Sequence, residues 1–473
     1  MNHWALNFFF QICFTAIYLF NATSAFATKD EKRLLMIEEI SIKGNKKTND
    51  KIILRELTFR LEDTISVAEL NDNITQSIQN LNNTLLFNFV YINHNYKSNG
   101  NLQVEVVVEE RWYFWPFPIF EHSHRNLSAF FKDGDLSRIN YGVSFTIDNF
   151  RGLREQVKLR LIWGYRKEIK LQYFSPNLDK QKKHGISGLV SYQTNYEVPF
   201  QSVSNKPIYY SASSADAKRN FNTSISYTYR PKHNWYQSVT IGWVNTSVLD
   251  TIAKLNPNYF GNSSNKFLYS QIKYETLYDK RDSKIFPLEG YFGKAEIARQ
   301  GIFNSESIAN WNVKLWSGYY AKITERLYTG SDITVQLNSE NNLPYYINEA
   351  IGYRNYIRGM EYYTTNGQNF VLNKNSLKYQ LIKAKVINLA FLPEGKFSKT
   401  HVSLFWSIFA DTGFVKPGQR TLTDDFEGKF LYGYGMGLYL YTYYDTVFRV
   451  EYSINLLGEK GFFIHFGTPF LNL

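Results

Sequence analysis

The sequence predicts an all-β transmembrane barrel of about sixteen antiparallel strands, preceded by a small α+β domain. Three observations lead to this prediction. Apolar and polar residues alternate through most of the 473-residue chain, aromatic residues make up 17% of it, and the mean hydropathy is only −0.35. Alternation combined with many aromatic residues is typical of strands with one face toward lipid, whereas a bundle of membrane helices would need a far more apolar chain.

Residues 1–27 have the features of a secretory signal peptide. An apolar stretch from about Phe8 to Phe20 precedes Ala25-Phe26-Ala27, a small-x-small cleavage site. The stretch is too short for a membrane anchor. Cys13, the only cysteine, lies inside it. We therefore expect a mature chain that starts after the signal peptide and contains no thiol.

The net charge of +11 is unevenly distributed along the chain. Residues 28–110 contain ten basic and thirteen acidic residues, a net charge of −3, and residues 1–27 contain none, so residues 111–473 carry +14. No basic helix or nucleic-acid-binding motif accompanies this charge, and we expect no nucleic-acid partner. Basic loops of a membrane barrel would instead lie near anionic lipid headgroups.

Residues 28–110 predict a small α+β domain with the order strand, helix, helix, strand, strand. The first strand ends at Gly44, and the second helix begins with a capping box formed by Ser66 and Glu69. The buried stripe of this helix is predicted at Leu70, Ile74, Ile78 and Leu81. The last two strands form a hairpin whose buried face is predicted at Val104, Val106 and Val108.

From Glu110 onward the helical period gives way to strict alternation. Within residues 156–165 the odd positions are apolar, while Gln156, Lys158 and Arg160 are polar. A membrane strand with its connection takes roughly 20 to 23 residues, so residues 111–473 allow about sixteen strands. The sheet must close, because an open edge in lipid leaves backbone groups unpaired. A soluble sandwich would also alternate, but the long recurrence and the aromatic content favour the barrel.

Four segments resemble motifs of one family, in that family's order. They are NFRGLREQVKL (149–159), YDKRDSKIFPLEGYF (278–292), IRGM (357–360) and IFADTG (408–413). The family's turn motif in the second segment is matched by Asp279, Arg281, Asp282, Pro287 and Gly290. Residues 28–110 are similar to a single POTRA domain, the periplasmic module of that family. The whole chain therefore looks like a BamA/TamA-type member, or bacterial surface antigen, of the outer-membrane protein assembly superfamily.

The resemblance implies that a long extracellular loop folds back into the barrel and is held there by a loop latch. The latch residues are Ile357, Arg358 and Gly359 in the loop, with Phe409, Asp411 and Gly413 on a later strand. In the family, the loop arginine pairs with the strand aspartate. Without the other motifs, a solvated loop arginine would be the simpler expectation.

Strand parity supports this placement independently. The apolar set of residues 402–410 must face lipid, which directs Asp411 into the lumen, where a guanidinium can donate two parallel hydrogen bonds to it. Two positions depart from the family pattern. Met360 replaces the usual aromatic residue, and Lys378 and Gln380 lie inward where a glutamate is usual. The resemblance therefore supplies no third member of the latch.

The resemblance implies a bacterial outer-membrane protein that assists the insertion and assembly of other outer-membrane proteins. Substrate strands would pair at a lateral seam between a first strand near Trp112–Phe120 and a last strand near Gly461–Gly467. The expected partners are outer-membrane lipid, unfolded outer-membrane or secreted proteins, and periplasmic or lipoprotein partners of the POTRA-like domain. Two alternatives stay open, a secretion pore for one substrate and a barrel enzyme that modifies lipid.

No motif for catalysis or metal binding accompanies the barrel pattern. The chain has no H-E-x-x-H, G-x-S-x-G or P-loop sequence, and its eight histidines are scattered. His465 alternates inward in the last predicted strand, where we interpret it as a lumen residue. We therefore expect no enzymatic activity, no catalytic residues, no cofactor and no metal.

Overall fold

The computed structural model describes most of the chain, namely residues 34–122, 139–179, 181–212, 216–388, 399–416, 425–442 and 446–467. The predicted signal peptide, residues 1–27, lies outside the described residues. Within the described ranges, no helix has the length and apolar character that a membrane crossing requires.

The N-terminal α+β domain contains two helices against one mixed sheet. Its elements are β1 (Leu34–Lys43), α1 (Asp50–Glu56), β2 (Thr64–Ser66), α2 (Val67–Asn82), β3 (Phe87–Tyr96) and β4 (Leu102–Glu110). The sheet order is β2-β1-β4-β3, with β1 and β4 parallel. The Ser66 hydroxyl caps α2 by accepting a hydrogen bond from the Glu69 amide at 3.3 Å. The predicted stripe of α2 packs into the domain core, together with the alternating valines of β4.

Sixteen strands form one antiparallel sheet in chain order, as predicted. They are β5 (Phe114–His122), β6 (Ile139–Phe150), β7 (Glu155–Gly164), β8 (Arg166–Ser175), β9 (His184–Asn195), β12 (Lys218–Lys232), β13 (Trp235–Val248), β14 (Lys266–Asp279), β15 (Gly290–Gln300), β16 (Asn310–Lys322), β17 (Leu327–Asn338), β18 (Phe370–Asn388), β19 (Lys399–Val415), β20 (Phe430–Thr442), β21 (Thr446–Asn455) and β22 (Lys460–Gly467). A separate hairpin of β10 (Glu197–Val203) and β11 (Lys206–Ser211) is inserted after β9, and a short helix, α3 (Asp250–Leu255), follows β13.

The outer face of the sheet is apolar and the inner face is polar. Ile225, Ile241 and Ile272 are neighbours in register on three adjacent strands, and each is at least 45% exposed. On β19, Ile408 is exposed whereas Asp411 is fully buried. This alternation is that of a transmembrane barrel, in which the outer band contacts lipid and the polar side chains line the lumen.

The N-terminal domain packs against turns at one end of the barrel. The amide of Asn49 donates to the carbonyl of Gly152 at 3.0 Å, in the turn between β6 and β7. Nε2 of His233 lies 2.6 Å from the carbonyl oxygen of Arg55. These contacts fix the domain at the end of the barrel opposite the long loop between β17 and β18.

A buried ion pair joins the two parts of the molecule. Both nitrogens of the Arg230 guanidinium fork donate to the Glu56 carboxylate, with Nη2 2.7 Å from Oε2. Both side chains are buried, and the same guanidinium also donates to the carbonyl of His233 at 2.8 Å. Burial alone would raise the pKa of the Glu56 carboxyl, but the charge of Arg230 and its hydrogen bonds outweigh burial and lower that pKa to about 2.

We expect Glu56→Ala to weaken attachment of the N-terminal domain by about 3 to 5 kcal/mol, because Arg230 stays buried without its partner. Limited proteolysis between domain and barrel measures this attachment. Asp72→Ala, which removes an exposed acid from α2, is the matched control and should leave cleavage unchanged.

The same ion pair predicts a pH dependence of the attachment. Because the folded pKa of Glu56, about 2, lies below its ordinary value of 4.5, the stabilisation is complete above pH 4.5 and is lost as the pH falls toward 2. Glu56→Ala should lack this component of the pH dependence. Identical cleavage profiles for the wild type and Glu56→Ala across this range would contradict the assignment.

Candidate functional site

The loop between β17 and β18, residues 339–369, folds into the barrel lumen. It starts with a short 3-10 helix, Tyr345–Ile347, and the side chains of Ile357 and Thr364 are fully buried. Loop and wall share one apolar cluster, which consists of Ala350, Ile351, Ile357, Met360, Phe370, Leu372, Val415, Phe426 and Leu431. Met360, which stands in place of the family's aromatic residue, is thus a packed core residue of the loop.

Arg358 meets Asp411 in a bidentate ion pair on the inner wall. Nε of Arg358 lies 2.8 Å from Oδ2 and Nη2 lies 2.5 Å from Oδ1, and the backbone amide of Arg358 also donates to Oδ2 at 3.1 Å. The guanidinium carbon lies 4.0 Å from the ring centre of Phe409, two residues earlier on the same face. Arg358 is 6% exposed and Asp411 is fully buried, so the pair lies away from bulk water.

Glycines let the loop backbone approach the wall closely. Gly359 has φ +92°, a conformation that favours glycine, and its carbonyl accepts a hydrogen bond from Asn455 at 3.0 Å. On β20, a Cβ at Gly433 would collide with the carbonyl oxygen of Arg358. On β19, a Cβ at Gly413 would lie 3.0 Å from Cδ1 of Ile357. The backbone of the loop therefore rests on strand surfaces that lack side chains.

Two further groups accept hydrogen bonds from the guanidinium. Nη1 of Arg358 donates to the hydroxyl of Tyr439 at 3.2 Å, and that hydroxyl donates to Oε1 of Glu451 at 2.7 Å. Nη2 also donates to the carbonyl of Asn375 at 3.1 Å. Neither Tyr439 nor Glu451 was predicted as a site residue from the sequence. Alternation along β20 and β21 directs both side chains into the lumen. Whether they lie near Asp411 depends on the register of three strands, which alternation does not determine.

The turn motif at residues 279–290 forms a compact structure between β14 and β15. Arg281 donates to both oxygens of Asp279, at 2.9 and 2.8 Å. The Asp282 carboxylate accepts from the backbone amides of Ser283, Leu288 and Glu289. Gly290 has φ +98°, which lets the chain re-enter the sheet. These residues shape the turn and do not contact the Arg358–Asp411 pair directly.

The same turn projects an aromatic side chain into the lumen. The Phe286 ring lies 5.0 Å from that of Phe405 and 6.4 Å from that of Tyr439. Lys378, an inward residue of β18, donates to the carbonyl of Pro287 at 3.2 Å. The turn from one end and the loop from the other therefore meet near Tyr439, and together they obstruct the lumen.

Comparison with known proteins agrees with this architecture. Residues 149–444 match the model of the Omp85 superfamily domain. The chain belongs to the Omp85 superfamily. This confirms the family resemblance drawn from the sequence motifs, and an Omp85 barrel implies an outer-membrane location. No curated protein matches the sequence at a significant level.

Two solved structures share the Omp85 fold with this protein. BamA from Haemophilus ducreyi lacking POTRA domains 1–3 has 12% sequence identity and a TM-score of 0.51, over 91% of this chain and 83% of that one. CdiB from Escherichia coli has 9% identity and a TM-score of 0.52, over 94% and 92% of the two chains. At these identities the likeness concerns the fold alone.

Substitutions at Arg358 should loosen the loop while leaving the barrel folded. Arg358→Lys loses the parallel hydrogen bonds, and Arg358→Ala leaves Asp411 buried and unpaired, at a cost of about 3 to 5 kcal/mol. Protease cleavage within residues 339–369 of the detergent-solubilised barrel measures the release. Arg354→Lys, at an exposed position of the same loop, is the matched control. Wild-type cleavage rates in Arg358→Ala would contradict a holding role for the pair.

Proposed function

We propose that this Omp85 protein assists the insertion of other outer-membrane proteins by pairing their strands at a lateral seam. The observation that carries the proposal is the strand order of the barrel sheet. β5 and β22 stand at its two ends, and no ladder joins them among the described residues. An edge with free amides and carbonyls can template an incoming strand, and in lipid those groups gain several kcal/mol each when they are paired.

The composition of β5 supports weak closure at this seam. Pro116 and Pro118 lie opposite Phe145 and Val143 of β6 in the ladder. Residues two apart in a strand direct their backbone groups to the same edge, and proline in a sheet is found where its missing amide faces away from the ladder. The edge of β5 that faces β22 therefore lacks two donors, which weakens its pairing with any permanent neighbour.

The loop and the N-terminal domain have complementary roles in this proposal. The Arg358–Asp411 pair acts as the loop latch and keeps residues 339–369 inside the barrel while the seam exchanges strands. The N-terminal domain, similar to a POTRA module, faces the periplasm and receives unfolded outer-membrane proteins, directly or through periplasmic or lipoprotein partners. Its attachment through Glu56 and Arg230 holds it beside the barrel opening. The protein acts through strand edges and shape, without catalytic residues.

Crosslinking across the seam should abolish insertion activity. One cysteine at Phe117 or Ile119 of β5 is combined with one at Phe462 or Ile464 of β22, and the disulfide is formed by oxidation. Folding of a reporter outer-membrane barrel into proteoliposomes measures activity, which should return when the disulfide is reduced.

The matched control places cysteines at Val450 and Ile464, which already face each other in the β21–β22 ladder. A disulfide there leaves the seam free, so activity should persist. Full activity of the seam-locked protein would exclude lateral exchange.

A secretion pore is the second candidate, and the obstructed lumen favours it. The loop and the Phe286 turn are separate elements that meet in the lumen, and their withdrawal would open a path through the barrel. The substrate would then be a secreted protein, and the seam would stay closed during transport.

Deletion of residues 340–366 distinguishes the two candidates in planar lipid bilayers. A pore mechanism requires large conductance steps in the deletion protein, and secretion that continues when the seam is locked. If the deletion protein conducts no more than the wild type, the pore candidate is excluded. A loss of many outer-membrane proteins on depletion of the protein would support the assembly role.

A further inference from the structure

Three potential metal ligands converge beside the loop latch. Nε2 of His465 lies 3.2 Å from Oε2 of Glu451 and 3.6 Å from Oε1 of Glu361. All three ligand atoms lie within 4.8 Å of one another. They come from three elements, since Glu361 belongs to the loop, Glu451 to β21 and His465 to β22. We call these three residues the carboxylate–histidine cluster.

The three converging atoms are buried and have no hydrogen-bond partner outside the cluster. Both carboxylates are at least nine-tenths buried, so an unpartnered oxygen there is costly. The second oxygen of each carboxylate is held by a partner of its own. Oε2 of Glu361 accepts from the amide of Gly359 at 2.8 Å, and Oε1 of Glu451 accepts from the hydroxyl of Tyr439 at 2.7 Å. The free oxygens are thereby aimed at the imidazole.

This arrangement has the outer contacts that metal ligands usually have. Ligating carboxylates and imidazoles are oriented by neighbours that do not touch the ion. Here the amide of Gly359 and the hydroxyl of Tyr439 orient the carboxylates, and the ring of Tyr356 stacks on that of His465 at 5.7 Å and 19°. Arg449 approaches Glu451 on Oε1, at 3.7 Å, and leaves Oε2 free.

The spacing fits a first-row divalent ion. In a tetrahedral zinc site with bonds of about 2.0 to 2.2 Å, neighbouring ligand atoms lie about 3.3 to 3.6 Å apart. The two separations that involve His465, 3.2 and 3.6 Å, fall close to that range. One imidazole nitrogen with two carboxylate oxygens suits zinc and its neighbours better than calcium or magnesium, which prefer oxygen ligands alone.

We propose that Glu361, Glu451 and His465 bind one divalent transition-metal ion, such as Zn²⁺. The ion joins the loop to the last two strands of the sheet. It therefore adds a second, metal-dependent attachment of the loop beside the Arg358–Asp411 pair. The competing arrangement is a protonated imidazole shared by the two carboxylates, which needs no metal.

Zinc titration of the folded protein tests the proposal. The full barrel is purified in detergent, treated with a chelator, and titrated with ZnCl₂ by calorimetry at pH 7.5. We expect one ion per chain. Glu361→Gln and His465→Gln should each weaken binding about 10-fold or more, because loss of an outer contact alone costs that much. Glu325→Gln and His184→Gln, an exposed acid and a histidine outside the cluster, are the matched controls.

Heat-modifiable mobility in gel electrophoresis verifies that each variant is folded. Should a cluster variant fail to fold, Co²⁺ absorption of the wild type supplies an independent readout, since four-coordinate nitrogen and oxygen ligation has characteristic visible bands. The proposal would be overturned if the folded wild type showed no saturable zinc binding. It would also be overturned if Glu361→Gln and His465→Gln bound zinc with wild-type affinity. Either result would leave the imidazolium arrangement. Metal binding is measured without substrate, so its failure would not bear on the insertion function.

Discussion

The fold follows from the cost of an unpaired backbone group in hydrocarbon, which is several kcal/mol. Sixteen strands in chain order satisfy this requirement along all their internal edges. A side-chain period of two then sorts residues into a lipid face and a lumen face, so polar side chains accumulate inside. The two end strands differ from the others, because no ladder joins β5 to β22 among the described residues.

Three buried carboxylates in this protein are matched by arginines from other segments or from the same turn. Asp411 meets Arg358, Glu56 meets Arg230, and Asp279 meets Arg281, each through two nitrogens of one guanidinium. The net contribution of such a pair to stability is roughly that of well-packed apolar residues, but removal of one partner costs about 3 to 5 kcal/mol. They therefore define position more than net stability, and the three pairs hold a loop, a domain and a turn in place.

The features that depended on local periodicity were predictable from the sequence. Alternation was sufficient for the barrel and the inward direction of Asp411, the length of the segment gave the strand number, and helical spacing was sufficient for the buried stripe of α2. Contacts that depend on register across several strands were not accessible in this way. Tyr439 and Glu451 are examples, as is the contact of Glu56 with Arg230, which lie 174 residues apart. The insertion of Phe286 was also missed, because an irregular turn carries no periodic signal.

The position of Asp411 late in the chain imposes an order on biogenesis. Arg358 precedes its partner by 53 residues, and the tyrosine that braces it is 81 residues away. The loop also contacts earlier parts of the chain, at Asn205, Asn258 and Tyr259. The partner of its buried arginine, however, is supplied only by β19, and contacts that are distant in sequence form slowly. A sheet that lacked its last four strands, β19 to β22, would leave the loop arginine without its counter-charge, so final docking of the loop waits for the C-terminal end of the chain.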